Sequence, residues 1–99
     1  TQTWAVELAE FNINVNSICP GLLWTPMWMR IATRFGTVPS DHTGQSPREV
    51  FDQHVERRIP LKREQTPEDI GNAVAFLASD YAQNITGQAL NISGGSHMN

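Results

Sequence analysis

Cysteine is almost missing from this chain of 99 residues, which holds one, Cys19. A lone cysteine excludes an intrachain disulfide and a thiolate metal cluster, and it fits a reducing compartment, so a cytoplasmic location is expected. No base is indicated beside Cys19 to activate it, and it reads as a small buried apolar residue at a strand end. Histidine is sparse as well: His42, His54 and His97 are far apart and form neither an i, i+4 pair nor a Cys/His cluster, so no metal site is expected. Positive charge is in deficit, with seven Lys and Arg against ten Asp and Glu and a net charge of −3, which argues against nucleic acid or an anionic membrane as partner. No apolar run approaches the roughly 18 residues of a membrane span, and the amino terminus is not signal-like. Internal repeats and low-complexity tracts are also missing. The length allows one small domain, and 39% apolar with 17% charged residues is ordinary soluble globular composition.

The residues that are present mark out elements. Thr1, Trp4, Ala5 and Leu8 fall at i, i+3, i+4 and i+7 with no capping residue before them, so a helix is expected that begins ahead of Thr1. Asn12 suits the left-handed end of that helix. Ile13 to Cys19 reads as a strand, interrupted by Asn14, Asn16 and Ser17; taken alone it fits a half-exposed strand. Thr25-Pro26, Ser46-Pro47 and Thr66-Pro67 each put a hydroxyl at an N-cap and proline at the first helical position.

The first of these helices carries an apolar face of Trp28, Ile31, Ala32 and Phe35 and can close at Gly36. In the second, Glu49 completes a capping box with Ser46, Phe51, His54, Val55 and Arg58 share a face, and Ile59-Pro60 ends the helix. The third has the stripe Ile70, Ala73, Val74 and Leu77, with Glu68 and Asp69 at the positive end of the helix dipole. Thr37 to Gln45 reads as a mobile loop. A strand, Gln88 to Ile92, is closed by Gly94-Gly95. Strand, helices and strand together form a β-α-β crossover with a large insertion.

The most informative stretch is Asn16 to Met27, where an apolar strand ends in Pro20-Gly21 and leads straight into a helix start. In an open α/β sheet, ligands bind beyond the carboxyl ends of strands. On the residues alone, Pro20-Gly21 is most often a plain turn, Pro fixing φ and Gly permitting positive φ or close backbone approach. Thr25 is explained by capping, worth about 1 kcal/mol, and its hydroxyl beside free N–H groups also suits an amide or phosphate. Trp24, Met27, Trp28 and Met29 fit either a pocket wall or helix packing; Trp28 lies in the apolar stripe, whereas Trp24 and Met27 lean towards the pocket. Arg57, Arg58, Lys62 and Arg63 read as solvated surface near a helix end.

Taken with Thr66-Pro67-Glu68-Asp69-Ile70, Phe76-Leu77-Ala78-Ser79-Asp80, and Ile85-Thr86-Gly87-Gln88 through Gly94-Gly95, the Asn16 to Met27 stretch resembles the carboxyl-terminal part of a short-chain dehydrogenase/reductase. Thr1 to Ala9 resembles the later half of the family helix that carries its Tyr-x-x-x-Lys pair, which would lie about two turns upstream. The resemblance implies an α/β fold, the last two strands of a Rossmann-like doubly wound parallel sheet with crossover helices, and makes the strand at Ile13 to Cys19 a buried one. Residues 1–99 would then be the carboxyl-terminal portion of one NAD(P)-binding domain, with 26–59 a substrate-loop insertion.

The resemblance further implies that Pro20, Gly21, Leu23 and Thr25 contact the cofactor, NAD or NADP, with Leu23 offering backbone groups to the carboxamide. Trp24 and Met27 would face an alcohol or carbonyl substrate; Trp24 stands where the family more often has a small or acidic residue. No catalytic residue is expected within the chain, since the Tyr-Lys pair, the Ser and the Gly-rich turn are not in it, so the piece alone is expected to be inactive and, with an unpaired strand edge, molten, aggregated or oligomeric. The parent would be a homo-oligomer, a tetramer by resemblance. Two further readings stand beside it, a dinucleotide-binding protein without turnover and a protein-interaction fragment.

Overall fold

The structure is a computed structural model that describes residues 1–37 and 44–98. Most of the loop expected between Thr37 and Gln45, His42 included, lies outside the described residues. Helix α1 covers Gln2–Leu8 and tightens into a 3-10 turn at Ala9–Phe11. Asn12 ends it at φ 57° and ψ 41°, the left-handed conformation that a short polar side chain tolerates. Strand β1 (Ser17–Pro20) follows, then α2 (Pro26–Thr37), α3 (Pro47–Arg58), α4 (Pro67–Leu77), a second 3-10 turn at Asp80–Ala82, and strand β2 (Ala89–Ile92). The two strands are parallel, with Ser17 opposite Ala89 and Pro20 opposite Ile92, so the expected crossover is present.

Strand β1 is shorter than the expected Ile13 to Cys19, and the asparagines are the reason. The Asn14 amide donates to the carbonyls of Ala82 (3.2 Å) and Gln83 (3.0 Å). Asn16 donates to the Ile85 carbonyl at 2.9 Å and accepts from the Gln88 N–H at 3.0 Å. Side chains thus share the cross-linking with one backbone bond, from Gly87 N–H to the Val15 carbonyl at 2.7 Å, and the regular ladder begins at Ser17. Gln88, bonded to Asn16, likewise stays outside β2. Within β1, Ser17 and Ile18 are half-buried, as the strand's own sequence suggested, while Cys19, expected to be buried, and Pro20 are exposed. Strand β2 is its one ladder partner among the described residues, and α4 the one α-helix that packs on it, which leaves the carboxyl half of β1 uncovered.

Helix starts follow the Thr/Ser-Pro signals. The Thr66 hydroxyl accepts from Asp69 N–H at 3.2 Å and the Asp69 carboxylate accepts from Thr66 N–H at 2.8 Å, a complete capping box. At α3 only half of the expected box forms: Ser46 accepts from Glu49 N–H at 3.2 Å. Helix α2 does not close at Gly36 but runs to Thr37. Ile59, at φ −107° and ψ 112°, ends α3 as its position before Pro60 requires.

The core sits in the insertion. Phe51, Val55 and Ile59 are buried together, with Leu22, Trp24 and Trp28 packed on them. The Phe51 ring lies 5.2 Å from that of Trp24 and 5.4 Å from that of Trp28, the latter edge-on, a favoured aromatic geometry. Arg58 shares the α3 face of Phe51 and Val55 but is exposed, as expected of the basic cluster at this helix end. The whole is elongated: the radius of gyration is 17.3 Å, against about 13 Å for a compact chain of about 100 residues.

Candidate functional site

Beyond the carboxyl ends of the two strands, the chain makes an open cleft. Gly21 N–H continues the ladder by donating to the Ile92 carbonyl at 2.9 Å, and from there the two chains diverge. Pro20, Gly21 and Leu22 from the β1 side, Ser96 and His97 from the β2 side, and Arg58 from the end of α3 line a space of about 450 Å³. Ser93 organises the second wall: its hydroxyl donates to the His97 carbonyl at 3.2 Å and lies 3.3 Å from the His97 N–H.

Gly21 explains how the turn fits. A Cβ at Gly21 would run into the side-chain oxygen of Gln65 and sit 2.8 Å from Ser93 Cα. Of the two reasons for glycine in such a turn, close approach is the one at work, since Gly21 is not among the positive-φ residues. Leu22 is held at both backbone groups, N–H to Gln65 Oε1 and carbonyl to Gln65 N–H, each 2.9 Å. Leu23, by contrast, has no backbone hydrogen bond to a described residue. Thr25 caps α2 through its carbonyl, which accepts from Met29 N–H at 2.9 Å, and more loosely through its hydroxyl, 3.4 Å from Trp28 N–H.

The site residues expected from the sequence are therefore only partly brought together. Pro20 and Gly21 line the cleft, while Leu23, Trp24, Thr25 and Met27 do not. Trp24 is half-buried against Phe51 with the Arg48 guanidinium 5.2 Å above its ring, and Met27 is 59% exposed. Arg48 is fixed there by Glu64 and by Asp52 at 3.1 Å. The hydrogen bond that Arg48 donates to Glu64, with the charges of Glu64 and Asp52, raises the Arg48 pKa above its usual value despite some desolvation. Sequence reasoning missed Arg58, Ser96 and His97 as cleft residues, and Gln65 and Ser93 behind them. A basic residue at a helix end and small polar residues after Gly-Gly carry no signal until the two strand ends are aligned.

At the opposite end of the strands a polar cleft of about 410 Å³ is lined by residues that include Asn14, Asp80 and Asn84, with Asp80 its one ionisable group. Among the described residues no group of three or more His, Cys, Asp or Glu is arranged to hold a metal, and no helix is long and apolar enough to cross a membrane.

A family model described as enoyl-(acyl carrier protein) reductase matches residues 1–97. The chain belongs to the short-chain dehydrogenase/reductase family. Within that family it is 41% identical over 98 residues to a 3-oxoacyl-(acyl-carrier-protein) reductase of Staphylococcus epidermidis, covering 99% of this chain and 34% of the relative. A protein of the same description from Thermotoga maritima is 38% identical over 95 residues, 96% of this chain and 32% of the relative. Among solved structures, L-sorbose reductase from Gluconobacter frateurii, complexed with NADPH and L-sorbose, superposes with a TM-score of 0.85 at 31% identity, covering 99% of this chain and 36% of that one. Sorbitol-6-phosphate 2-dehydrogenase from Erwinia amylovora gives 0.82 at 36% identity, covering 100% and 37%. The short-chain dehydrogenase/reductase fold is α/β and Rossmann-like, and the parallel pair with its crossover helices is this chain's part of it. The chain spans about a third of the length of the curated relatives it matches.

Proposed function

We propose that these residues form the carboxyl-terminal portion of an NAD(P)(H)-dependent oxidoreductase that interconverts an alcohol and a carbonyl compound in the cytoplasm, with 26–59 as its substrate-loop insertion. One observation carries the reading: a strand of a parallel pair runs into a glycine-tightened turn whose Leu23 N–H and carbonyl make no backbone hydrogen bond to a described residue, where an α/β sheet binds its ligands. The fit to a nicotinamide carboxamide is one of donor and acceptor, since an amide needs one of each. Relatives include an L-sorbose reductase solved with NADPH and a polyketide ketoreductase solved with NADPH.

When bound, the nicotinamide supplies the two-electron exchange with the carbonyl carbon. What this chain supplies is position. Pro20 and Gly21 let the backbone approach, Leu23 offers an amide donor and acceptor, and Thr25 presents its hydroxyl at the start of α2. Trp24 and Met27 form the apolar side of the substrate site. The acid/base group that moves the proton lies outside residues 1–99 in this reading, so the piece alone has no activity.

Binding of NADH and NADPH to the full-length protein, followed by nicotinamide fluorescence, tests the assignment; no saturable binding of either would overturn it. Trp24→Ala is expected to shift relative kcat/KM among carbonyl substrates by about tenfold while cofactor affinity stays within about twofold. Unchanged substrate ratios would remove Trp24 from the substrate wall.

The homo-oligomer, a tetramer in this reading, is supported by the apolar surface that α1, α4, the following turn and β2 present: Trp4 is 66% exposed and Tyr81 91%, with Phe76 and Leu90 also open. Those same side chains favour association with a partner as the second reading for the piece by itself.

A further inference from the structure

Gln65 is a polar side chain held in the interior, 5% exposed, just ahead of the helix cap at Thr66. Its amide is engaged at both ends. Oε1 accepts from Leu22 N–H at 2.9 Å, and Nε2 donates to the Arg63 carbonyl at 3.2 Å. Its backbone N–H meanwhile donates to the Leu22 carbonyl at 2.9 Å. Two glycines make the slot in which it lies: a Cβ at Gly21 would collide with Oε1, and one at Gly94 would come within 2.8 Å of Nε2. A residue that merely filled this space would need no polar atoms, and a buried amide is costly unless both ends are paired. The slot therefore selects an amide of this length.

We propose that Gln65 is the positioning residue of the cofactor turn. It occupies both backbone groups of Leu22 and so fixes the direction in which the next residue, Leu23, presents its N–H and carbonyl. The inference rests on the assignment of this turn to the nicotinamide. It adds that affinity for the carboxamide is set from the lead-in to α4, by a side chain that touches neither cofactor nor substrate. Without the amide, the Leu22 N–H loses its partner in a part-buried position, and of the two bonds between Leu22 and Gln65 only the one from Gln65 N–H to the Leu22 carbonyl remains.

The test uses three variants of the full-length protein, read by NAD(P)H titration, steady-state kinetics and thermal melting. Gln65→Met keeps the volume and removes the polar atoms; the NAD(P)H dissociation constant is expected to rise about tenfold, the size of one buried hydrogen bond. The substrate KM at saturating cofactor should change by less than about twofold. Gln65→Asn keeps an amide but withdraws its reach, and should weaken cofactor binding to a similar extent. Gln65→Glu retains an acceptor for Leu22 N–H but turns its second oxygen against the Arg63 carbonyl, so it should recover only part of the affinity, binding about threefold more tightly than Gln65→Met.

Equal loss of affinity in the Glu and Met variants, or a lowered melting temperature with unchanged affinity, would reduce Gln65 to a core filler and overturn the inference. If Gln65→Met does not fold, the Asn and Glu variants decide between the same outcomes. Wild-type protein that binds no NAD(P)H overturns the function and this inference together, whereas wild type and Gln65→Met binding alike overturns this inference alone.

Discussion

The insertion built from α2 and α3 and the sheet unit built from α1, β1, α4 and β2 fold by opposite means. Ala32, Val50, Phe51, Val55 and Ile59 are buried in or beside the insertion, against Ala5 and Ala82 in the rest of the described chain. The sheet unit is defined by directional bonds instead: a full capping box at Thr66, the Asn14 and Asn16 cross-links, and the Gln65 clasp. Directional bonds set geometry well and contribute little net stability, while apolar burial does the reverse. The half of the chain that holds the proposed cofactor turn is thus placed with definition but weakly sealed from water, and depends for its cover on whatever packs over α1, α4 and the open edge of β1.

The most severe way to break this comparison is to empty the insertion core. Phe51→Ala is expected to cost about 3–5 kcal/mol and to strip hydrogen-exchange protection from α2 and α3 first. Phe76→Ala, at a side chain 46% exposed on α4, should cost about 1 kcal/mol or less in the same chain. Equal losses measured by urea denaturation would erase the distinction.

A smaller effect is expected at Gly21. Gly21→Ala drives a methyl into Gln65 and Ser93 Cα and should cost about 1–3 kcal/mol, with weaker NAD(P)H binding in the full-length protein. A neutral result in both thermal melting and titration would show that the turn can give way. Arg48→Met sharpens the comparison least: the ion pairs to Asp52 and Glu64 join partly exposed groups, worth about 1 kcal/mol or less and weakened by salt. A raised pKa on a cation means stability that is fully present below the unfolded value and lost only as pH rises past the folded one. That window lies far above neutrality, so Arg48 itself contributes no slope to a stability profile from about pH 5 to 9. A slope in that range abolished by Arg48→Met would contradict this.

Local signals were the legible part of the sequence. Thr-Pro and Ser-Pro marked the helix starts, Asn12 the left-handed stop, and Pro20-Gly21 the turn beyond a strand, because each acts within a few residues. Burial was harder to read. Helix α4, with the most complete set of local signals, buries none of its side chains, while α3, with a stripe only partly apolar, carries Val50 and Phe51 fully buried. Periodicity tells which side chains share a face; it does not tell which face finds a partner. The asparagines hid where β1 starts for a related reason. Their alternation resembled a half-exposed strand, and only the fold shows that residues 68 to 72 positions away meet their amides. For the candidate site, Gly21 was visible, whereas Gln65 was not, since nothing near it in sequence distinguishes a surface glutamine from a clasp.

Asn16 has one more effect, exerted at a distance from where it sits. By gripping the carbonyl of Ile85 and the amide of Gln88 on either side of Thr86 and Gly87, it docks the returning chain before either strand starts. A shift of one position would break that grip and turn every strand side chain to the other face. Pro20 and Ile92 consequently arrive level at the far end, and the mouth of the upper crevice owes its alignment to an amide anchored at the foot of the sheet.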